Sequence, residues 1–409
     1  MNRWAGLGLG LVLLGAFASQ PGVILVGALA TLTAWLAGLW TRYGLRGVRY
    51  ERSVLPDRAV LGDELALDVT IWNDKILPLA WLEADDFVSD GTIIRELPAV
   101  HSDRPGFRVL RNTWTLGPFE QVVRHLHVVA DRRGVFELGP VRLRVADLFG
   151  RDAALAQVET SAIWLVRPRS VPVRLAARDL RAIGERRARF GLHEDPALFA
   201  GVRPYQPGDA RTRIHWRATA RLGQPVSRRF EPTRVHQLVI ALDVQTTEPF
   251  WVMAHDEELL EGLIVAAASL TRASLLDGAA CGLAAATWTG RSSRTLFVPP
   301  SADAGQFGTV SDALARMSQF ASAPFELLLS QLAIRLPPGS GVIAISGRDP
   351  HAYLATELQL ARSGFDVTHV AMGEHAPAWA ERARRVGITA QVATLETGWR
   401  TSDALDLAG

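Results

Sequence analysis

Lysine is almost absent from this chain. Lys75 stands alone among 44 basic residues, so the other 43 are arginine. A bias that complete strips arginine at any one place of special meaning. Cysteine is as scarce: there is 1, Cys281, which excludes a disulfide framework and a thiolate zinc cluster. It lies in the apolar run ACGLAAAT and reads as a buried strand residue rather than a nucleophile. The net charge is only +2 over 409 residues, so the total implies no polyanionic partner, and no nucleic acid is expected. No Ser-His-Asp order, paired-carboxylate motif or phosphate loop is present, and the chain reads as a non-enzyme.

Charge is missing altogether from Trp4 to Thr41, a run of 38 residues. As one helix it would measure about 57 Å, nearly twice a hydrocarbon core of about 30 Å. Ser19-Gln20-Pro21-Gly22 interrupts it. The expectation is a transmembrane helical hairpin within 1–41, with helices over about 4–18 and 22–40. Gly6, Gly8, Gly10 and Gly15 suit close helix–helix contact. The rival is a signal peptide, with Arg3 as its charged start and Ala16-Phe17-Ala18 as a cleavage site. The next apolar helix begins at once and leaves little room for a protease, which favours the uncut hairpin. Arg3 precedes the pair; Arg42, Arg46, Arg49 and Arg52 follow it, and Trp4 and Trp40 sit at its ends as interfacial anchors. By the positive-inside rule both termini are expected in the cytoplasm, on a multi-pass protein of the cell's inner membrane.

From 50 to 175 the apolar period is two. Leu65, Leu67, Val69 and Ile71 share a face in ELALDVTIW, VRLRV alternates at 141–145, and turn residues fall between such runs. Short strands at that spacing predict a β-sandwich. His125 and His127 share one strand face, a spacing that can serve a metal. No carboxylate or third histidine lies nearby in sequence, so a solvated face is the favoured reading. Residues 176–200 read as a basic, partly helical linker.

Residues 201–231 hold Arg203, Arg211, Arg213, Arg217, Arg221, Arg228 and Arg229 around Trp216. Asp209 after Pro207-Gly208 is a candidate N-cap, and Gly223 a C-cap, for a helix over about 210–222. Arg213, Arg217 and Arg221 would then line one face. Nucleic acid, anionic lipid, and a structural clamp or partner-docking face compete for this stretch. The last is preferred, because a guanidinium pairs with carboxylates and stacks on tryptophan. An anionic-ligand site built on Arg203, Arg211 and Arg213 is a further alternative.

The run Gly201-Val202-Arg203-Pro204-Tyr205-Gln206-Pro207-Gly208-Asp209, followed by Arg213-Ile214-His215-Trp216 and Ala218, Ala220 and Arg221, resembles the signature of domain-of-unknown-function family 58. RRGVFELGPVRLRVADLFG at 132–150 is similar to that family's upstream segment, with Leu148 where Pro often stands. The resemblance implies a membrane protein with a von Willebrand factor A-like domain. It implies partners in a MoxR-type AAA+ ATPase and a transglutaminase-like membrane protein. It assigns no reaction.

Residues 236–395 alternate strands and helices, which predicts a parallel, doubly wound α/β sheet. HQLVIALDV ends on Asp243, where such sheets bind ligands. The resemblance implies an Asp-x-Ser-x-Ser loop for Mg²⁺ there. This chain reads Asp243-Val244-Gln245-Thr246-Thr247, so Asp243 and Thr247 match while Gln245 replaces one hydroxyl. Asp349 is a candidate second carboxylate. A metal at this degenerate loop is the minor reading; in the major one Asp243 caps its loop or pairs with an arginine, from the 203–229 stretch if that folds onto this face. No cofactor is expected, and 396–409 reads as a tail. The functional expectation is a membrane-anchored, cytoplasm-facing adaptor that binds protein partners through the A-like domain. The alternative is a metal-dependent hydrolase at the strand ends.

Overall fold

The structure, a computed structural model, describes residues 3–146, 153–175, 194–206, 214–232, 237–247, 255–289 and 295–409. The chain divides into two compact units, Met1–Arg167 and Pro168–Gly409.

In the first unit, helices Arg3–Phe17 and Pro21–Tyr43 form the expected hairpin. The second helix, 23 residues long, reaches about 34 Å and is long and apolar enough to cross a bilayer; the first, 15 residues, reaches about 22 Å. This pair permits a membrane location. The apolar helix Glu257–Leu276 of the second unit passes the same test of length and composition, but most of it is buried as a core helix. Close approach in the hairpin depends on missing side chains. A Cβ on Gly8 would lie 2.6 Å from Thr31 Oγ1, and one on Gly27 2.6 Å from the Val12 nitrogen. Gly6 and Gly10 face open space, so only part of the glycine set serves this contact. Trp40 is not a free interfacial anchor. It is buried, and its indole donates to the Pro78 carbonyl at 2.9 Å, pinning the hairpin's end to the β-structure.

The rest of this unit is the β-sandwich. Among the described residues, one sheet orders Val48–Leu55, Glu64–Asn73, Gln121–Val129 and Ile93–Ile94. The other orders Arg58–Val60, Ala162–Arg167, Gly134–Ala146, Leu79–Ser89, Phe107–Leu116 and Val100–His101, with Ala153–Val158 paired to Gly134–Ala146. Leu65, Leu67, Val69 and Ile71 are fully buried, as their alternation demands. The sandwich stops at Arg167. Val173–Leu175, expected inside it, pairs with Leu405–Ala408 in the second unit.

Lys75, in the turn before Leu79–Ser89, donates to Asn73 Oδ1 at 2.8 Å, and burial pulls its pKa from 10.5 down to about 8. Between those values the unfolded chain holds a proton that the folded chain has released, so stability rises with pH across that window. The thermal midpoint of this unit is expected to climb as pH passes from below 8 toward 10. Lys75→Gln keeps a donor and should flatten the climb; an unchanged slope in that variant would assign it to another group.

The second unit centres on a mostly parallel sheet. Among the described residues its order is Val173–Leu175, Leu405–Ala408, Thr389–Thr394, Asp366–Met372, Gly341–Ser346, Gln237–Leu242, Ala280–Ala285 and Leu296–Ser301. Leu296–Ser301 and Leu405–Ala408 run antiparallel to their neighbours Ala280–Ala285 and Thr389–Thr394, so the sheet is not wholly parallel. The supposed tail is therefore structural, with Leu405 and Leu407 buried. Thr389–Thr394, which the sequence reading lacked, is the strand it needs as a partner. Val239, Ala241, Val342 and Ala344 form a core with Phe325, Leu328, Leu329 and Leu332 of helix Phe325–Arg335. The alternate residues Ile240, Leu242 and Ile345 are buried too, and helix Glu257–Leu276 packs on these strands. Burial on both faces is why these strands read as unbroken apolar runs.

A separate two-stranded hairpin, Glu194–Pro204 against Val226–Pro232, carries helix Trp216–Leu222 between its strands. We call it the arm. The helix starts at Trp216, not near 210. His215 caps it by accepting from the Ala218 nitrogen at 3.1 Å, and Gly223 closes it at φ 68°. The Asp209 cap falls outside the described residues, as do Pro207, Gly208, Arg211 and Arg213.

Candidate functional site at the strand ends

Gln237–Leu242 is the sheet's pivot. The chain leaves it through helix Glu257–Leu276 to Ala280–Ala285 on one side and comes back to Gly341–Ser346 on the other. Connections that part in this way open a crevice at the carboxyl ends of the two central strands, the usual ligand position in open α/β sheets. Asp243 ends one of these strands and Ser346-Gly347-Arg348 the other.

Asp243 is 2% exposed. Its Oδ2 accepts from Arg348 Nε at 2.7 Å and from Ser346 Oγ at 2.9 Å, and its Oδ1 accepts from the Gln245 nitrogen at 3.1 Å. Burial pushes the carboxyl's pKa up, and the Arg348 guanidinium pulls it back. The oxygens that would face a cation are thus committed to a cation the chain carries itself. Gln245 Nε2 donates to the Thr247 carbonyl at 2.7 Å, and Thr246 Oγ1 accepts from the Asp256 nitrogen at 2.8 Å. Among the described residues, Gln245 and Thr246 are thus tied to nearby backbone.

Asp349 does not join Asp243. It accepts from the His351 nitrogen at 3.0 Å and pairs at the surface with Arg382 Nη1 at 2.5 Å. The side chain that meets Asp243 from this turn is the Arg348 guanidinium rather than the expected Asp349 carboxylate. Among the described residues the guanidiniums that pair with Asp243 and Asp349 are those of Arg348 and Arg382. Among the described residues no group of three or more His, Cys, Asp and Glu side chains could hold a metal ion.

Behind the ion pair runs a buried polar row absent from the sequence reading. Arg348 stacks over the Tyr353 ring at 5.0 Å, and Tyr353 lies against His369 at 5.9 Å between centroids. His369 Nδ1 meets Glu357 Oε1 at 3.0 Å, both side chains fully buried. Burial, with the Asp243 and Glu357 charges, holds the Tyr353 hydroxyl protonated well above its ordinary range. His369 alternates with Val370 in an apolar strand, and only its central place in DVTHVAM could have marked it. Cys281 is buried as expected, its thiol pushed up to about 12 by burial.

His125 and His127 do have carboxylates, supplied across the sheet rather than along the chain. Asp68 sits opposite His125 in register at 2.6 Å, and Glu96 meets His127 at 2.5 Å, on an exposed face. On the arm, Trp216, Arg217, Arg221 and Leu222 are exposed, and the helix buries none of its residues. Arg203 donates to the Pro204 carbonyl at 3.2 Å, and Tyr205 bonds the Pro225 carbonyl through its backbone nitrogen at 3.0 Å.

Residues 201–326, from the arm through the Asp243 strand to the start of helix Phe325–Arg335, match the family model described as Protein of unknown function DUF58. This stretch is similar to that family. A curated relative agrees: the uncharacterized protein YeaD of Bacillus subtilis (strain 168) is 25% identical over 256 residues, 61% of this chain and 58% of YeaD. The match thus spans less than two thirds of YeaD's length. Among solved structures, a cohesin module of a Clostridium perfringens family 33 glycoside hydrolase covers 29% of this chain and 95% of its own at 11% identity and TM-score 0.20. A CARDB domain from Pyrococcus furiosus covers 27% and 85% at 14% identity and TM-score 0.18. The matched segment holds Asp243 but ends before Arg348, so the two halves of the ion pair come from either side of its boundary.

Proposed function

We propose that this protein is a membrane-anchored adaptor whose α/β unit, of von Willebrand factor A-like build, binds a protein partner from the cytoplasmic side. The observation that carries the reading is the neutralised Asp243. A hydrolase needs an activated group or an open metal position at the strand ends. Here the crevice carboxylate is spent on Arg348, Ser346 and a backbone N–H, which favours recognition over chemistry. The resemblance nominates a MoxR-type AAA+ ATPase as partner, with a transglutaminase-like membrane protein as a further associate. The apolar hairpin supports anchoring, and Arg42 and Arg46 at its end support cytoplasmic termini.

The test uses the full chain in detergent and the purified MoxR-type ATPase of the same organism. Saturable binding that survives EDTA is expected, weakened by Arg382→Glu on the exposed rim of the crevice. Binding that vanishes on chelation and returns with Mg²⁺ would favour the metal reading of Asp243 and Thr247. A reporter fused to the carboxyl terminus should be active only in the cytoplasm.

A further inference from the structure

The arm has a composition that the adaptor reading leaves unused. Its helix Trp216–Leu222 adjoins Val226–Pro232, where Thr219 Oγ1 accepts from the Val226 nitrogen at 3.2 Å, while Trp216, Arg217, Ala220 and Arg221 are exposed. Trp216 is 68% and Leu222 56% exposed, a large apolar area for so short a helix. Arg217 and Arg221 are one turn apart, and Arg228 is exposed on the adjoining strand. Among the described residues none of these three arginines forms an ion pair, unlike Arg348 and Arg382, which hold carboxylates.

We infer that the arm is a second membrane contact, laying Trp216 and Leu222 into the interface of an anionic bilayer with Arg217, Arg221 and Arg228 on its headgroups. The inference rests on the anchored reading of the hairpin. Tryptophan and leucine beside guanidiniums on an exposed helix suit the boundary between headgroups and acyl chains, where the ring is half in oil and the cation stays wet. A polar protein partner would pay to bury that ring and leucine only with a matching pocket. A bilayer accepts them anywhere on its surface. A chain already tethered to the bilayer also meets lipid at high effective concentration, so a weak contact of two apolar side chains and three charges suffices.

The experiment uses the full chain with Cys281→Ala and one introduced thiol, Leu222→Cys, carrying an environment-sensitive fluorophore. It is reconstituted in nanodiscs of phosphatidylcholine, alone or mixed with phosphatidylglycerol. The inference predicts blue-shifted emission, quenched by brominated lipid, in the anionic discs only, reversed by high salt. Arg217→Gln with Arg221→Gln, both at exposed positions, should lower the bound-to-free ratio roughly thirtyfold, given about 1 kcal/mol per arginine near an anionic surface. Identical emission in both discs would overturn the inference, as would a shift that appears only when a purified protein partner is added. A parallel label at Leu29→Cys separates the premise: quenching there in both discs confirms an inserted hairpin. No quenching at Leu29 defeats the anchored reading itself, and the inference with it.

Discussion

Replacing Arg348 with methionine will destabilise the α/β unit by about 3–5 kcal/mol, the usual cost of stranding a buried charge. Methionine keeps most of the side chain's volume and its contact with the Tyr353 ring, so the loss reports the charge rather than a cavity. Among the described residues Asp243 is left with Ser346 Oγ and the Gln245 nitrogen, too few donors for an ionised carboxylate at its depth. For a unit of this size the midpoint should fall by about 10 °C. The loss should shrink as pH falls. Burial already raises the Asp243 pKa, and without the guanidinium it rises further, so the folded form takes up a proton that the unfolded form does not. The double change Asp243→Leu with Arg348→Met should recover most of the loss, because an apolar pair can replace a buried ion pair. Pulsed proteolysis with cleavage mapped to 168–409 isolates this unit from the sandwich. Equal stability of the single and double variants would mean that Arg348 acts through packing alone.

The same pair marks how far the sequence could be read. The unbroken apolar strands 237–242 and 341–346 were legible, because burial on both faces leaves no polar residue to blur them, and the pattern also placed Asp243 at a strand end. The partner was not legible. A guanidinium 105 residues away finds Asp243 only because the two strands are neighbours in the sheet, and strand order is not written in local pattern. The edges fared worse for the same reason. Leu405–Ala408 is a short strand after a polar stretch and looks like a tail until Thr389–Thr394 and Val173–Leu175 flank it. In the arm, Gly223 signalled the helix end correctly, since a left-handed residue there needs glycine. The described helix starts at Trp216, where His215 accepts the Ala218 amide, while Asp209 lies outside the described residues.

Arg52 carries the second large effect. By position it belongs to the basic flank of the hairpin, yet its side chain is 1% exposed inside the sandwich. Nη1 pairs with Asp86 Oδ1 at 2.6 Å and Nη2 donates to the Gly139 carbonyl at 2.8 Å, while the Tyr50 hydroxyl donates to the other Asp86 oxygen. The network joins the two sheets, since Tyr50 and Arg52 lie on one and Asp86 on the other. Arg52→Met should cost the sandwich about 3–5 kcal/mol by stranding Asp86. Tyr50→Phe, which removes one donor and leaves the ion pair, should cost about 1–3 kcal/mol. Asp86 is pushed up by burial and held down first by Arg52, so the Arg52→Met loss should ease on acidification as Asp86 takes up a proton. Orientation should not follow stability. A charge sealed between two sheets cannot face headgroups, so a carboxyl-terminal reporter should read the same side in Arg52→Met as in the parent chain. Arg42→Gln with Arg46→Gln should weaken that bias instead and leave the sandwich's unfolding midpoint unchanged. A reporter that flipped in Arg52→Met would return this arginine to the membrane flank and contradict the buried pair.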